Sequence, residues 1–254
     1  MHKILILLTN CSHPPSNPSL KTGFDIRELA PMLKELRNHS PTQPGTLLES
    51  LVFATPEGGP APISPSSAEA GLKEQSVKEF MADASTLNRL RNTENLESLR
   101  PSDFIAVVVP GGHGPMFDLA SNEKVGRFLE KCFYSPEGCL IVAVCHGVAA
   151  LATMKKPGAK GEPFVKGRRL TCTSMQEENT EKWGKDLPFQ VEERMKELGA
   201  LLTFVPPHKC NVIVDEAGAE AEEGRGRLIT GQNTESCREA VGKMIQIMES
   251  WKKA

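Results

Sequence analysis

The chain has 254 residues, 39% hydrophobic and 24% charged, with 30 basic against 32 acidic side chains and a formal net charge of -2. This composition supports a sizeable core and excludes wholesale disorder. It also excludes the broad basic field that a nucleic-acid partner demands. The N-terminal apolar run Ile4–Leu8 is too short to span a bilayer and lacks the length and cleavage site of a signal peptide. No membrane partner is expected, and the expected address is the cytoplasm, with the nucleus open to it. Seven scattered cysteines are odd in number and none has C-x-x-C spacing, so neither a disulfide framework nor a zinc ribbon is expected.

Lys3–Leu8 reads as a buried strand. A Pro-rich loop follows, and then a helix over Asp25–Arg37 whose Ile26, Leu29, Ala30, Leu33 and Leu36 share one face. Pro41–Gly45 breaks the chain, Leu51–Ala54 reads as a strand, and Thr55–Ser67 as a loop. Glu74–Leu90 is expected to be one helix. Phe104–Val109 is a buried strand that ends in Pro110-Gly111-Gly112. The helix Glu123–Cys132 leads to the strand Cys139–Val144 and a helix over Val148–Met154. Pro188–Leu198 is a helix stopped by Gly199. Strand candidates at Leu201–Val205, Val212–Val214 and Leu228–Thr230 precede a closing helix, Glu235–Trp251. Short apolar strands alternating with helices indicate parallel βαβ units. The expected fold is one doubly wound α/β domain over residues 1–254, flavodoxin-like, with a mostly parallel sheet and helices on both faces. Its ligands would bind beyond the carboxyl ends of the strands.

Three strand-end segments carry chemistry. In IVAVCHGVAA, a buried strand runs into Cys145 and then into a helix of small residues. That is the pattern of a nucleophile elbow, with the His146 N–H aimed at an oxyanion and Gly147 leaving room for close packing. The same pattern fits a buried thiol at a strand end. VPGGHG places glycines after a neighbouring strand, where Gly112 or an adjacent N–H supplies a second oxyanion donor. In KTGFDIRE, Glu28 falls in the first turns of a helix, where an exposed carboxylate is also ordinary.

Taken together, these segments resemble the DJ-1/PfpI superfamily of the class I glutamine-amidotransferase-like fold. The resemblance is to its microbial glutathione-independent glyoxalase III and stress-chaperone branch. It is carried by KTG with Glu28, FATPEGGPAPISPSS (Phe53–Ser67), DFIAVVVPGGHGPMFDL (Asp103–Leu119) and AVCHGVAAL (Ala143–Leu151). KGRRLT, LPFQVEERMKELGA and LITGQN (Leu228–Asn233) extend it over nearly the whole chain. The resemblance implies Cys145 as nucleophile and His146 as its adjacent histidine. It implies Glu28 as a carboxylate touching the nucleophile and Glu178 as the acid partner of the histidine, with Glu177 the neighbouring alternative. It implies Gly112 as an oxyanion glycine, with His113 and Gly147 beside the substrate, and it implies a homodimer. The chain departs from the family around Thr173–Gln176, at Val205–Cys210, and in enlarged loops near His39–Thr46 and Ala217–Arg225.

A thiolate, a proton shuttle and oxyanion donors suffice to convert a 2-oxoaldehyde such as methylglyoxal to a 2-hydroxy acid, with no cofactor. A cysteine-dependent hydrolase or lyase acting on another carbonyl substrate would use the same site. A stress-response holdase or redox sensor working through oxidation of Cys145 is a reading of a different class. His113 lies on the glycine turn, but no second histidine stands at helical or hairpin spacing from it, so no metal site is expected. His13 and His208 read as surface residues, Trp183 and Trp251 as packing residues, and the basic stretch Lys155–Arg169 as a solvated connection.

Overall fold

The computed structural model describes residues 3–39, 50–179, 183, 185–215 and 226–253. Among the described residues, β6 (Arg169–Leu170) and β7 (Leu201–Leu202) form a small sheet of their own, and seven strands form the main sheet: β1 (Lys3–Leu7), β2 (Leu51–Thr55), β3 (Glu94–Asn95), β4 (Phe104–Val109), β5 (Leu140–Val144), β8 (Val212–Asp215) and β9 (Arg227–Gly231). Their order is β3-β2-β1-β4-β5-β9-β8, parallel except where β8 runs against β9. The run β2-β1-β4-β5-β9 is the flavodoxin-like order, and its direction reverses between β1 and β4. Alternation within each strand builds the two faces. Leu5, Leu7, Val107 and Val109 enter one core, and Ile4, Ile6, Ala106 and Val108 enter the other. Burial on both faces is why these strands read as continuous apolar runs rather than as alternating ones.

The first helix runs Ile26–Asn38. Asp25 caps it by accepting the Arg27 N–H at 2.8 Å, an arrangement worth about 1 kcal/mol. Asp25 also receives the Arg27 guanidinium, and in the first turn of this helix Glu28 is buried. Among the described residues no helix is long and apolar enough to cross a membrane.

Several expected elements differ. The single helix over Glu74–Leu90 is two, Gln75–Ala82 and Ala84–Arg91. Asp83 ends the first and caps the second through the Thr86 N–H, a local competition that the apolar stripe conceals. The helix after β5 is a 3-10 helix that begins at Cys145 itself and runs to Thr153. Only Leu201–Leu202 of the Leu201–Val205 candidate is strand. It pairs with Arg169–Leu170 in a separate two-stranded sheet. Arg168, read as part of a solvated basic stretch, is buried. Its guanidinium donates to Asp215 of β8 at 3.0 Å and lies over the rings of Phe133 and Phe164. The Pro41–Gly45 break lies outside the described residues. So does the Ala217–Arg225 loop and, beyond His39, the His39–Thr46 loop.

Candidate active site

Four chain segments converge at the carboxyl ends of β1, β4 and β5. Strand β5 delivers Cys145 with φ of +55°, a left-handed conformation that a non-glycine residue adopts only where its surroundings impose it. The elbow closes down on the end of β4. At Gly147 a Cβ would stand 2.4 Å from the Val109 carbonyl oxygen, so only glycine fits. That is the role the structure gives Gly147: close packing of the turn against β4.

Cys145 is half-buried, and its Sγ lies 3.3 Å from His146 Nδ1. The other imidazole nitrogen, Nε2, meets Glu178 Oε2 at 2.5 Å. Glu178 ends the short helix Met175–Glu178, which is opened by a capping box between Ser174 and Glu177. The two adjacent glutamates therefore do different work. Glu178 faces the histidines. Glu177 accepts from Asn233 at 2.8 Å, Gln232 at 3.0 Å and the His208 N–H at 3.2 Å. Burial pushes Glu177 upward, but these donors and Ser174 outweigh it and hold its carboxyl below the ordinary range. Burial also opposes ionisation of Glu178. The imidazoles of His113 and then His146 prevail and keep it well below the usual carboxylate range.

Across the thiol stands the opposite case. Glu28 is fully buried, accepts the Gly111 N–H at 2.6 Å and is hydrogen-bonded to Cys145. Burial, followed by the nearby charge of Asp25, pushes its carboxyl up to about 8 against the pull of those partners. Near neutral pH this acid holds its proton. The Gly111 N–H is committed to Glu28, and Gly112 follows it in the turn. There φ is +94°, and a Cβ would lie 2.5 Å from the Asp25 nitrogen.

His113 is buried beside the acid. Its Nε2 approaches Glu178 Oε1 to 3.4 Å. Its ring stacks on Trp183 with centroids 4.4 Å apart and touches the His146 ring at the same separation. His113, His146 and Glu178 thus form a compact donor cluster. His146 comes to His113 from the neighbouring strand end, an adjacency that helical or hairpin spacing does not register.

Above Cys145 opens a pocket of about 110 Å³, lined among others by His146, Glu178, Arg27, His208 and Asn233. It is smaller than the roughly 300–1,000 Å³ typical of drug-sized ligands. Arg27 was not singled out in the sequence. Its guanidinium is held on Asp25 through Nε at 3.1 Å and Nη2 at 2.5 Å. His208 is exposed, as read from the sequence, and its loop, which turns at φ of +59°, also brings it to the edge of this pocket. The LITGQN motif had signalled Gln232 and Asn233 without revealing their use, which is to anchor Glu177.

The arrangement is that of an α/β protein with an elbow cysteine, a histidine–carboxylate pair and a second, buried carboxyl group. Residues 66–209 match the DJ-1/PfpI family, and the chain belongs to it. Among curated relatives, the glutamine amidotransferase-like class 1 domain-containing protein 1 of Bos taurus is 31% identical over 157 residues, which is 62% of this chain and 65% of that protein. The glutathione-independent glyoxalase hsp3102 of Schizosaccharomyces pombe is 28% identical over 156 residues, covering 59% of this chain and 60% of that one. The chain therefore aligns with less than two thirds of these relatives' own lengths. The crystal structure of glyoxalase III from Candida albicans superposes with a TM-score of 0.77 at 20% identity, covering 96% of both chains, a likeness of fold.

Proposed function

We propose that the chain is a glutathione-independent glyoxalase that converts 2-oxoaldehydes such as methylglyoxal to 2-hydroxy acids through Cys145. The observation that carries this reading is the placement of one half-buried thiol between His146, whose Nε2 meets the ionised Glu178, and a carboxyl group raised to about 8. The names of the fission-yeast and Candida relatives support it.

His146 Nδ1 takes the thiol proton as Cys145 adds to the aldehyde carbon. It returns that proton to the new oxygen, giving a hemithioacetal. Glu28, once ionised, removes the hydrogen on that carbon. The electron pair moves to form an enediolate held by the N–H groups of Gly112 and His146. Glu28 then delivers its proton to the neighbouring carbon as the hydroxyl proton on the sulfur-bearing carbon passes to the neighbouring oxygen, and water hydrolyses the resulting thioester to the 2-hydroxy acid and the Cys145 thiol. One carbon is oxidised as the next is reduced, so electrons balance inside the substrate and no redox cofactor is needed. A base with a pKa of about 8 is strong enough to abstract a carbon-bound proton and is still partly ionised at neutral pH. The homodimer implied by the family belongs to this proposal, and sedimentation equilibrium tests it.

A second reading keeps the site and changes the substrate. The connected Cys145, His146 and Glu178 also suit acyl transfer, so a thioester or amide hydrolase is the alternative. The deciding assay is methylglyoxal loss without added glutathione, matched to lactate formation. Wild type should turn over, and Cys145→Ser should lose at least about 10³-fold in kcat/KM while melting normally. A well-folded wild type with no dicarbonyl turnover, but with Cys145-dependent cleavage of thioesters, would replace the first reading with the second.

A further inference from the structure

We infer that the Cys145 pocket selects its substrates by charge: it admits neutral and positively charged carbonyl compounds and turns away those bearing a carboxylate, with Glu177 and Glu235 as the specificity-determining residues. As a statement about turnover this rests on the glyoxalase reading; as a property of the thiol's surroundings it does not. Three carboxyl groups line the small pocket over the thiol: Glu177, Glu178 and Glu235. Against the upward push of burial, the donors around Glu177 and the imidazoles beside Glu178 hold both below the ordinary carboxylate range, so both are ionised at neutral pH. Glu235 is exposed at the rim, in the first turn of the short helix Thr234–Ser236 that leads into the closing helix. Its carboxylate already answers the positive end of that helix, where a bound anion would otherwise gain. Arg27 is the only Lys or Arg on this lining among the described residues. It does not restore the balance, because Asp25 holds its guanidinium at 3.1 Å through Nε and 2.5 Å through Nη2 and offsets its charge. Glu74 is a further acid within electrostatic reach of Arg27, Asp25 and Glu235. Protons on both His146 and His208 would still leave the lining with a carboxylate in excess. Thr173, 5% exposed, also lines the pocket, and its hydroxyl has no hydrogen-bond partner among the described residues. That polar group is left for a ligand: it donates to a carbonyl oxygen or accepts from an ammonium group.

Charge is the discriminator that bulk cannot supply. A 2-oxo acid has nearly the size and shape of the 2-oxoaldehyde with the same carbon chain, so a pocket of about 110 Å³ that admits one has room for the other. The carboxylate of the acid meets like charges in a partly desolvated pocket, where repulsion is stronger than on an open surface. Methylglyoxal carries no charge and enters unopposed. The 2-hydroxy acid formed from it is an anion, so the field that rejects 2-oxo acids also speeds product release.

The test labels Cys145 in the full-length protein with two methanethiosulfonate reagents of similar size, one with a trimethylammonium tail and one with a sulfonate tail. Each transfers its thioalkyl group to the thiolate and releases methanesulfinate. Peptide mass spectrometry reads Cys145 apart from Cys11 and Cys210, and rates on the urea-unfolded chain correct for intrinsic reactivity. At low salt the cationic reagent should label Cys145 at least about tenfold faster, and salt at about 0.5 M should shrink that ratio several-fold. Glu235→Gln should lower the ratio at least about threefold, and Glu235→Arg should lower it further. Glu177→Gln, shown by thermal melting to be folded, should lower it as well. Equal rates for the two reagents, faster labelling by the sulfonate, or a ratio unmoved by both Glu235 variants would overturn the inference. A second arm compares two 2-oxoaldehydes of matched chain length, 2-oxopentanal and 4,5-dioxopentanoate. The anionic one should be at least about tenfold poorer in kcat/KM, mainly through KM. Equal kcat/KM for the two would also overturn the charge selectivity. If neither is turned over, the glyoxalase reading fails, and the labelling ratio still decides how the pocket treats charge.

Discussion

Two carboxyl groups bracket Cys145, and both are buried, yet their surroundings drive them in opposite directions. On the β1 side Glu28 has one backbone donor, a thiol and an unfavourable neighbouring charge, and it keeps its proton to about 8. On the opposite side Glu178 has two imidazoles and stays ionised. Burial raises both. The number and kind of donors facing each carboxylate decide the outcome. On the proposed glyoxalase reading, a site that adds a thiolate and then moves a carbon-bound proton needs both states at once, and the pair would divide those tasks.

The sharpest way to break this contrast is Glu28→Gln. The amide oxygen still accepts the Gly111 N–H, so the fold is kept while the proton acceptor is lost. Turnover of methylglyoxal should fall about 10³-fold. The wild-type kcat/KM should rise with pH through a midpoint near 8, and the variant's residual rate should lack that limb. Glu178→Gln removes the charge on the other side. It should cost about 10²-fold in turnover, mostly in kcat, because His146 loses the group that orients it. Retention of full activity would remove Glu178 from the machinery.

Stability should follow the same division. Glu28 titrates at about 8 in the folded chain against an ordinary value of about 4.5, so between those values the folded state binds the extra proton. Its contribution is present below about 4.5 and is lost as pH rises through 8. Urea midpoints of wild type relative to Glu28→Gln should therefore decline across that window. Glu178 has the opposite sign. Its contribution is complete above the ordinary carboxylate range and is lost as pH falls below it, so Glu178→Gln should flatten the acid limb. The smallest catalytic effect is expected from Glu177→Gln. It should cost about 1–3 kcal/mol by setting an amide donor against Asn233 and Gln232. Activity should change only a few-fold, which would separate the neighbouring glutamates by thermal melting and kinetics together.

The fold was legible because its strands are buried on both faces and so stand out as apolar runs, and because Cys145 and Gly112 sit where such runs end. The site was legible where chemistry is local, as in the Cys145–His146 elbow. It was illegible where sheet adjacency makes the contact. His113 meets Glu178 and His146 across strand order, and Gln232 reaches Glu177 over 55 residues. Arg27 and His208 line the pocket because of a cap and a loop turn, neither of which has a periodic signature. The split at Asp83 and the 3-10 form of the segment after Val144 are likewise decided by local hydrogen bonding that hydrophobic spacing does not encode.

The stack of Trp183 on His113 gives the molecule an internal optical gauge. Indole emission is quenched by a protonated imidazole at van der Waals range. Trp251 lies at the far end of the closing helix, so replacing it with Phe would leave one fluorophore whose brightness tracks the charge carried beside Glu178. The state of the site can then be followed in real time without a label and without a substrate.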